Sequence, residues 1–172
     1  MKALILAALV LLSPSLSHAA DSNGVTYAVS GPLSLVDGNA FWGANLKLGY
    51  KLTKDWTIGG GTGFFIWHKS YDAPNVSSTQ WFIPIMPEGY YDIDAGLANF
   101  HPYVGLGLGV AIVHTSISLG SGIASTTDTS VKFDGLLHAG ARMGAEQRFF
   151  VDMGIGLLDG NFQFAPNIGW IF

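Results

Sequence analysis

Apolar residues in this chain recur at every second position, in runs of strand length and almost never in long unbroken stretches. The last twelve residues display the pattern most plainly. Phe162, Phe164, Pro166, Ile168, Trp170 and Phe172 are apolar, and Asn161, Gln163, Ala165, Asn167 and Gly169 between them are small or polar. Period-two alternation puts the two sets on opposite faces of a strand. The chain is apolar overall, with only 12% charged residues and 23 glycines. Yet nothing beyond the amino terminus approaches the ~20 apolar residues of a membrane-spanning helix. Strands with one apolar and one polar face reconcile the two facts, because in a transmembrane barrel only half of each strand meets lipid.

The amino terminus has a different character. Lys2 precedes an apolar run from Ala3 to Leu12, followed by Ser13-Pro14 and a small-residue stretch ending Ser17-His18-Ala19-Ala20. A positive start, a short apolar core and a small-x-small site make a secretory signal peptide over residues 1–20, cleaved after Ala19 or Ala20. Residues 21–172 then form one domain. With no cysteine, neither a disulfide framework nor an acylated amino-terminal cysteine is available, and an exported domain of this kind relies on packing or on a closed hydrogen-bond ladder. A formal net charge of −4 argues against nucleic acid as a partner. His68, His101 and His138 lack metal-ligand spacing, and the glycines alternate along strands instead of opening a helix around a phosphate. No cofactor is expected.

Turn signals divide the mature chain into eight segments. These are Val25–Leu35, Ala40–Leu52, Trp56–Ser70, Thr79–Ile93, His101–Thr115, Ser130–Met143, Arg148–Leu158 and Asn161–Phe172. Tyr71–Ser78 and Ser116–Thr129 read as loops, and Asp159-Gly160 as a tight hairpin. Parity assigns Trp42, Leu46, Leu48 and Tyr50 outward on the second segment, Trp81, Ile83, Ile85 and Tyr91 on the fourth, and Val104, Leu106, Leu108 and Val110 on the fifth. Pro84 and Pro87 each remove a ladder donor and predict a bulge or local irregularity. Segments of ~11 residues suit tilted membrane strands. Aromatics gather near strand ends, with Tyr50, Trp56, Tyr91, Tyr103, Phe149 and Trp170 at one rim and Trp42, Trp81 and Phe162 at the other, as two interfacial girdles would require. The fold class that follows is all-β: an eight-stranded antiparallel up-and-down transmembrane β-barrel.

The stretch from Phe82 to Asp94, with Tyr90-Tyr91-Asp92, followed by His101-Pro-Tyr-Val-Gly-Leu-Gly-Leu-Gly-Val-Ala, resembles the small outer-membrane barrels of OmpA and OmpX type. The resemblance implies the bacterial outer membrane as location, with lipid and lipopolysaccharide as surroundings. It also implies insertion by the barrel-assembly machinery, which would read Ile168, Trp170 and Phe172 as the assembly signal. It brings no catalytic residues, and the chain is expected to be monomeric and to end without a peptidoglycan-binding domain.

Charged residues fall on the inward parity: Lys47 and Lys51, Glu88 and Asp92, Lys132, Asp134, His138 and Arg142, and Asp152. A lumenal gate or selectivity ring is one reading; a structural core of ion pairs is the other. Eight strands enclose room for side chains only, and buried charges need partners, so the second is preferred. A narrow ion-conducting pore and a lipid A-modifying enzyme are the alternatives. For the enzyme, His114 and Ser116 share a strand face and Asp128 lies beyond the loop, a partial match to a Ser-His-acid arrangement.

Overall fold

The computed structural model describes residues 24–71, 76–119 and 125–172; the expected signal peptide and the centres of two connections lie outside them. The described residues form nine strand segments: β1 (Val25–Ser30), β2 (Leu33–Val36), β3 (Asn39–Lys51), β4 (Trp56–Tyr71), β5 (Val76–Asp92), β6 (Phe100–Leu119), β7 (Thr126–Met143), β8 (Phe149–Leu158) and β9 (Asn161–Ile171). All pairings are antiparallel, each sequential neighbour from β3 to β9 is paired, and β1 and β2 both bridge β3 to β9. The two short segments are halves of one stave, so eight staves close a ring with no free edge. The stave breaks at Gly31-Pro32, and parity survives the break: Ser30, Pro32, Ser34 and Val36 are all buried. Backbone bonds from Gly31 N to Ile168 O and from Gly43 N to Pro32 O span the gap.

The register determines the shape. Tyr50 pairs with Ile58, and the ladder continues through Gly89, Leu106, Leu137, Ile155, Phe164 and Leu35 back to Ala40. One circuit therefore returns to β3 displaced from Tyr50 to Ala40. At ~3.3 Å per residue along a strand and ~4.8 Å between strands, this displacement over eight steps corresponds to a tilt of about 40°. At that tilt, the 10 residues of β8 rise about 25 Å, the height of a membrane barrel's apolar band.

Two hairpins, at Asp37-Gly38 and Asp159-Gly160, have both central residues at positive φ (46° and 77°; 54° and 81°). This is the turn geometry that matches strand twist, and an Asp-Gly pair adopts it at little cost. The other connections at that end are different. β6 and β7 have 20 and 18 residues, and their ladder runs on to Ile117↔Thr126. The expected loop Ser116–Thr129 is thus strand at both ends. Its Ser and Thr composition suggests a loop, but Thr is a good strand former and the ladder continues past the apolar band. Likewise β4 reaches Tyr71 and β5 begins at Val76, paired to each other; residues 72–75 of the expected Tyr71–Ser78 loop lie outside the described residues. Staves β4–β7 form a wall standing well above the short turns.

The prolines interrupt the ladder without a bulge. Toward β4 the pairing passes from Ile85↔Thr62 to Phe82↔Phe65, skipping Pro84; toward β6 it passes from Ile85↔Val110 to Glu88↔Gly107, skipping Pro87. The register is the same on either side of each gap, so no residue is inserted and the inward set stays inward.

Outward residues follow the expected parity. Trp42, Leu48, Ile58, Phe64, Ile85, Leu108, Phe133, Leu137, Ile155 and Ile168 are all exposed. Rings pair across staves at the end bearing the turns 52–55, 93–99 and 144–148: Trp56 with Tyr91 at 5.2 Å and Phe149 with Trp170 at 6.3 Å. Two aromatics depart from the expected outward placement. Tyr103 points into the lumen and is buried, because it belongs to the odd, inward set of β6. Phe172 is also buried, whereas Trp170 is exposed. Its N–H bonds to Tyr27 O, and β9 ends at Ile171, so the alternation does not extend to the last side chain. Turns at this end are stitched together. Asp94 Oδ1 accepts from Gly96 N at 3.1 Å and Oδ2 lies 3.6 Å from Lys54 Nζ; the backbone donor first and the ammonium second hold this exposed carboxyl below the usual range.

Candidate functional site

The lumen is divided into two layers, one apolar and one polar. Toward the short-turn end, Phe41, Phe65 and Phe82 stack in a column: Phe82 lies parallel to Phe65 at 4.5 Å and edge-on to Phe41 at 5.3 Å. Val36, Ala111 and Leu158 complete the buried cluster, and Trp67 and Val113 cover it. Phe82 is 1% exposed. The wall side chains leave no room for such rings unless the facing residue is small. Phe65 lies across the ladder from Gly43, Tyr90 from Gly105, Tyr103 from Gly140 and Phe150 from Gly169. A Cβ at any of these glycines would press on the facing ring. For Phe150 the register supplies that space from the neighbouring stave, at Gly169.

Beneath the aromatic column lies the charged layer. Lys47 Nζ is 3.1 Å from Glu88 Oε2 and donates to Tyr90 OH at 2.7 Å; Tyr90 OH in turn donates to Glu88. Tyr103 OH donates to Asp152 Oδ2 at 2.9 Å, and His138 Nδ1 sits 3.1 Å from Asp152 Oδ1. His138 Nε2 faces Glu88 Oε1 at 3.8 Å. Nearer the mouth, Arg142 bonds Asp92 at 2.5 Å and lies over the Tyr103 ring at 5.0 Å, while Lys51 approaches Asp92 at 3.8 Å. These contacts join β3, β5, β6, β7 and β8 into one network. Desolvated charges are tolerated here because each is paired and bonded.

Of the inward charges anticipated, the fold brings together Lys47, Lys51, Glu88, Asp92, His138, Arg142 and Asp152. Lys132 stands apart, paired with Asp159 at 2.8 Å beside the short turn. Asp134 is buried to 1% but belongs to none of the ion pairs among the described residues. Tyr90 and Tyr103 hold the network together, yet charge patterning alone passes over them; their inward parity was the available signal. The same parity marks Phe41, Phe65 and Phe82. A further buried pair, Gln163 Nε2 donating to Ser34 Oγ at 2.9 Å, ties the closing strand to the first stave.

His114 and Ser116 lie on the outer face. His114 Nδ1 is 2.7 Å from Thr129 Oγ1, and its ring stacks on Trp81 at 4.8 Å. Asp128 pairs with Thr115 and His114 with Thr129, so strand parity puts Asp128 on the opposite face from the imidazole.

No family model matches this chain, and no curated protein does. Solved structures do. Ail, the attachment invasion locus protein of Yersinia pestis, in complex with the heparin analogue sucrose octasulfate, is 16% identical with a TM-score of 0.55, covering 86% of this chain and 96% of that one. OprG of Pseudomonas aeruginosa is 13% identical with a TM-score of 0.52, covering 87% and 96%. Neisserial surface protein A is 16% identical with a TM-score of 0.51, covering 86% and 94%. The chain has the fold of the small eight-stranded outer-membrane barrels, as the OmpA/OmpX-type resemblance implies.

Proposed function

We propose that this protein is an integral barrel of a bacterial outer membrane, closed to through-flow and serving a structural or interaction role. One observation carries the reading: apolar side chains stand exposed on staves all around the closed ring, from Leu46 and Ile58 through Ile85, Leu106 and Leu137 to Ile155 and Ile168. A belt of that extent in water would be an aggregation liability, whereas at the height of the strands it suits the hydrocarbon core. The turns at 52–55, 93–99 and 144–148 then face the periplasm, and the β4–β7 wall projects outward. On that wall His68 and His114 bond Thr79 and Thr129, giving the outer face a polar, Ser- and Thr-rich surface at the depth of lipopolysaccharide headgroups. Insertion by the barrel-assembly machinery and a monomeric state belong to the same proposal. Carbonate extraction of membranes is the test. The protein is expected to stay with the membrane and to show a heat-modifiable gel mobility; release into the supernatant contradicts the proposal.

Closure of the lumen rests on the aromatic column above the ion-pair layer. Purified protein in planar bilayers is expected to give no steady conductance steps. Phe82→Ala removes the ring shared by Phe41 and Phe65 and joins the space above to the polar layer below, so brief openings are expected from that variant. Regular steps from the unaltered protein would favour the pore reading. Strand parity puts Asp128 on the opposite face from the His114 imidazole, which counts against a Ser-His-acid arrangement there.

A further inference from the structure

Among the described residues six buried side-chain polar atoms have no hydrogen-bond partner, and five of them line the same cavity: Asn45 Oδ1, Asp134 Oδ1, His138 Nε2, Gln163 Oε1 and Asn167 Oδ1. The cavity, about 40 Å³ in volume, lies between Phe65 and Phe82 on one side and Lys47 and Glu88 on the other. Orphaned buried polar atoms are rare in native proteins and point to a ligand, an ion or water. Their chemistry here is one-sided. Asp134 contributes a carboxylate oxygen and the three amides carbonyl oxygens. His138 lies between two carboxylates, with Nδ1 3.1 Å from Asp152 and Nε2 3.8 Å from Glu88. The other four are acceptors.

Asp134 stands apart from the other lumenal carboxylates. Lys47, Lys51 and Arg142 are engaged by Glu88 or Asp92, and His138 by Asp152 and Glu88. Lys47 and His138 also line the cavity, but Asp134 joins no ion pair among the described residues. No group of three or more His, Cys, Asp or Glu capable of holding a metal ion occurs among the described residues, which disfavours a divalent ion. One carboxylate with several neutral oxygens suits a singly charged hard cation.

We infer that the cavity beneath the aromatic column is a binding site for a dehydrated alkali cation, held by Asp134 with the carbonyl oxygens of Asn45, Gln163 and Asn167. The aromatic column above and the Lys47–Glu88–Tyr90 layer below retain the ion, which enters as the barrel closes. Its function is to neutralise Asp134 and to tie β3, β7 and β9 across the lumen.

The experiment follows the unfolding midpoint of the purified protein in detergent micelles by tryptophan fluorescence, in sodium, potassium or N-methylglucamine chloride at equal ionic strength. An alkali salt at about a hundred times the dissociation constant is expected to raise the midpoint by ~5 °C or more. Asp134→Asn, which keeps the shape and removes the charge, is expected to lose that rise. Crystals grown in thallium(I), a potassium mimic, should give an anomalous peak within the cavity, a readout that stands even if the variant fails to fold. Equal midpoints in the three salts and a cavity without a thallium peak would mean that water alone fills it and that a proton neutralises Asp134, and would overturn the inference.

Discussion

Gly156→Val is expected to abolish the folded barrel, whereas Gly89→Ala is expected to leave it intact. Gly156 lies on the inward face of β8, opposite Leu136 on β7. A Cβ there would sit well inside contact distance of the Gly135 carbonyl, which is backbone of the adjacent stave. Backbone cannot rotate away as a flexible side chain can. Relief would need β7 and β8 to separate, and in a closed ring that displacement is passed to every other stave. The cost should exceed about 4 kcal/mol, in the range reserved for severe core and backbone lesions. Gly89 on β5 has open space where its Cβ would be. Refolding yield into micelles, read by heat-modifiable mobility, distinguishes the two. Comparable yields would show that the inner wall is less tightly built than the register requires.

Removing Asp152 should be the most damaging change within the polar layer. Asp152 is 4% exposed, and its carboxylate accepts from Tyr103 while holding His138. Asp152→Ala strands a buried phenol and a buried imidazole together, and breaking a buried charged pair from one side costs roughly 3–5 kcal/mol. Asp152→Asn keeps one acceptor oxygen in place and should recover part of that loss. Urea unfolding in lipid vesicles measures both. If Asp152→Ala changes stability by less than ~0.5 kcal/mol, the value of an ordinary surface substitution, the network is not a stabilising element.

Strand parity was legible because it is local: each residue's face follows from its neighbours' faces, and the exposed set of β3, β5 and β6 matches the alternation of their sequences. Tyr103 stands near a strand end as the rim aromatics do, but its own parity directs it inward, so that departure too is local. The other departures need non-local information. Phe172 shares the period of Trp170, and the bond from its N–H to Tyr27 O involves the opposite end of the chain. The Ser- and Thr-rich stretch after Thr115 has a loop's composition. Its continuation as strand depends on Ser116 and Ile117 finding Thr127 and Thr126 across the hairpin.

The charged layer shows the same division. Its members were recognisable as inward charges, but their partners were not. Arg142 meets Asp92 and His138 meets Asp152, and neither pairing is implied by spacing in the chain. Inward parity marks Phe41, Phe65 and Phe82 one by one, but the column they make exists only after closure, because they come from three staves.

By itself the sequence determined a ring of about eight amphipathic strands, which residues face outward, and where the Asp-Gly hairpins fall. Those are consequences of period-two geometry and turn chemistry, both of which act over a few residues. Only the tertiary structure decided the circuit displacement from Tyr50 to Ala40, which sets the tilt and so the height at which each inward residue stands. That height brings Lys47 to Glu88, places Phe82 above them, and gathers Asn45, Asp134, Gln163 and Asn167 around one cavity. The physical reason is that stagger is a property of the closed ladder as a whole, contributed by every pair of staves and specified by none of them alone.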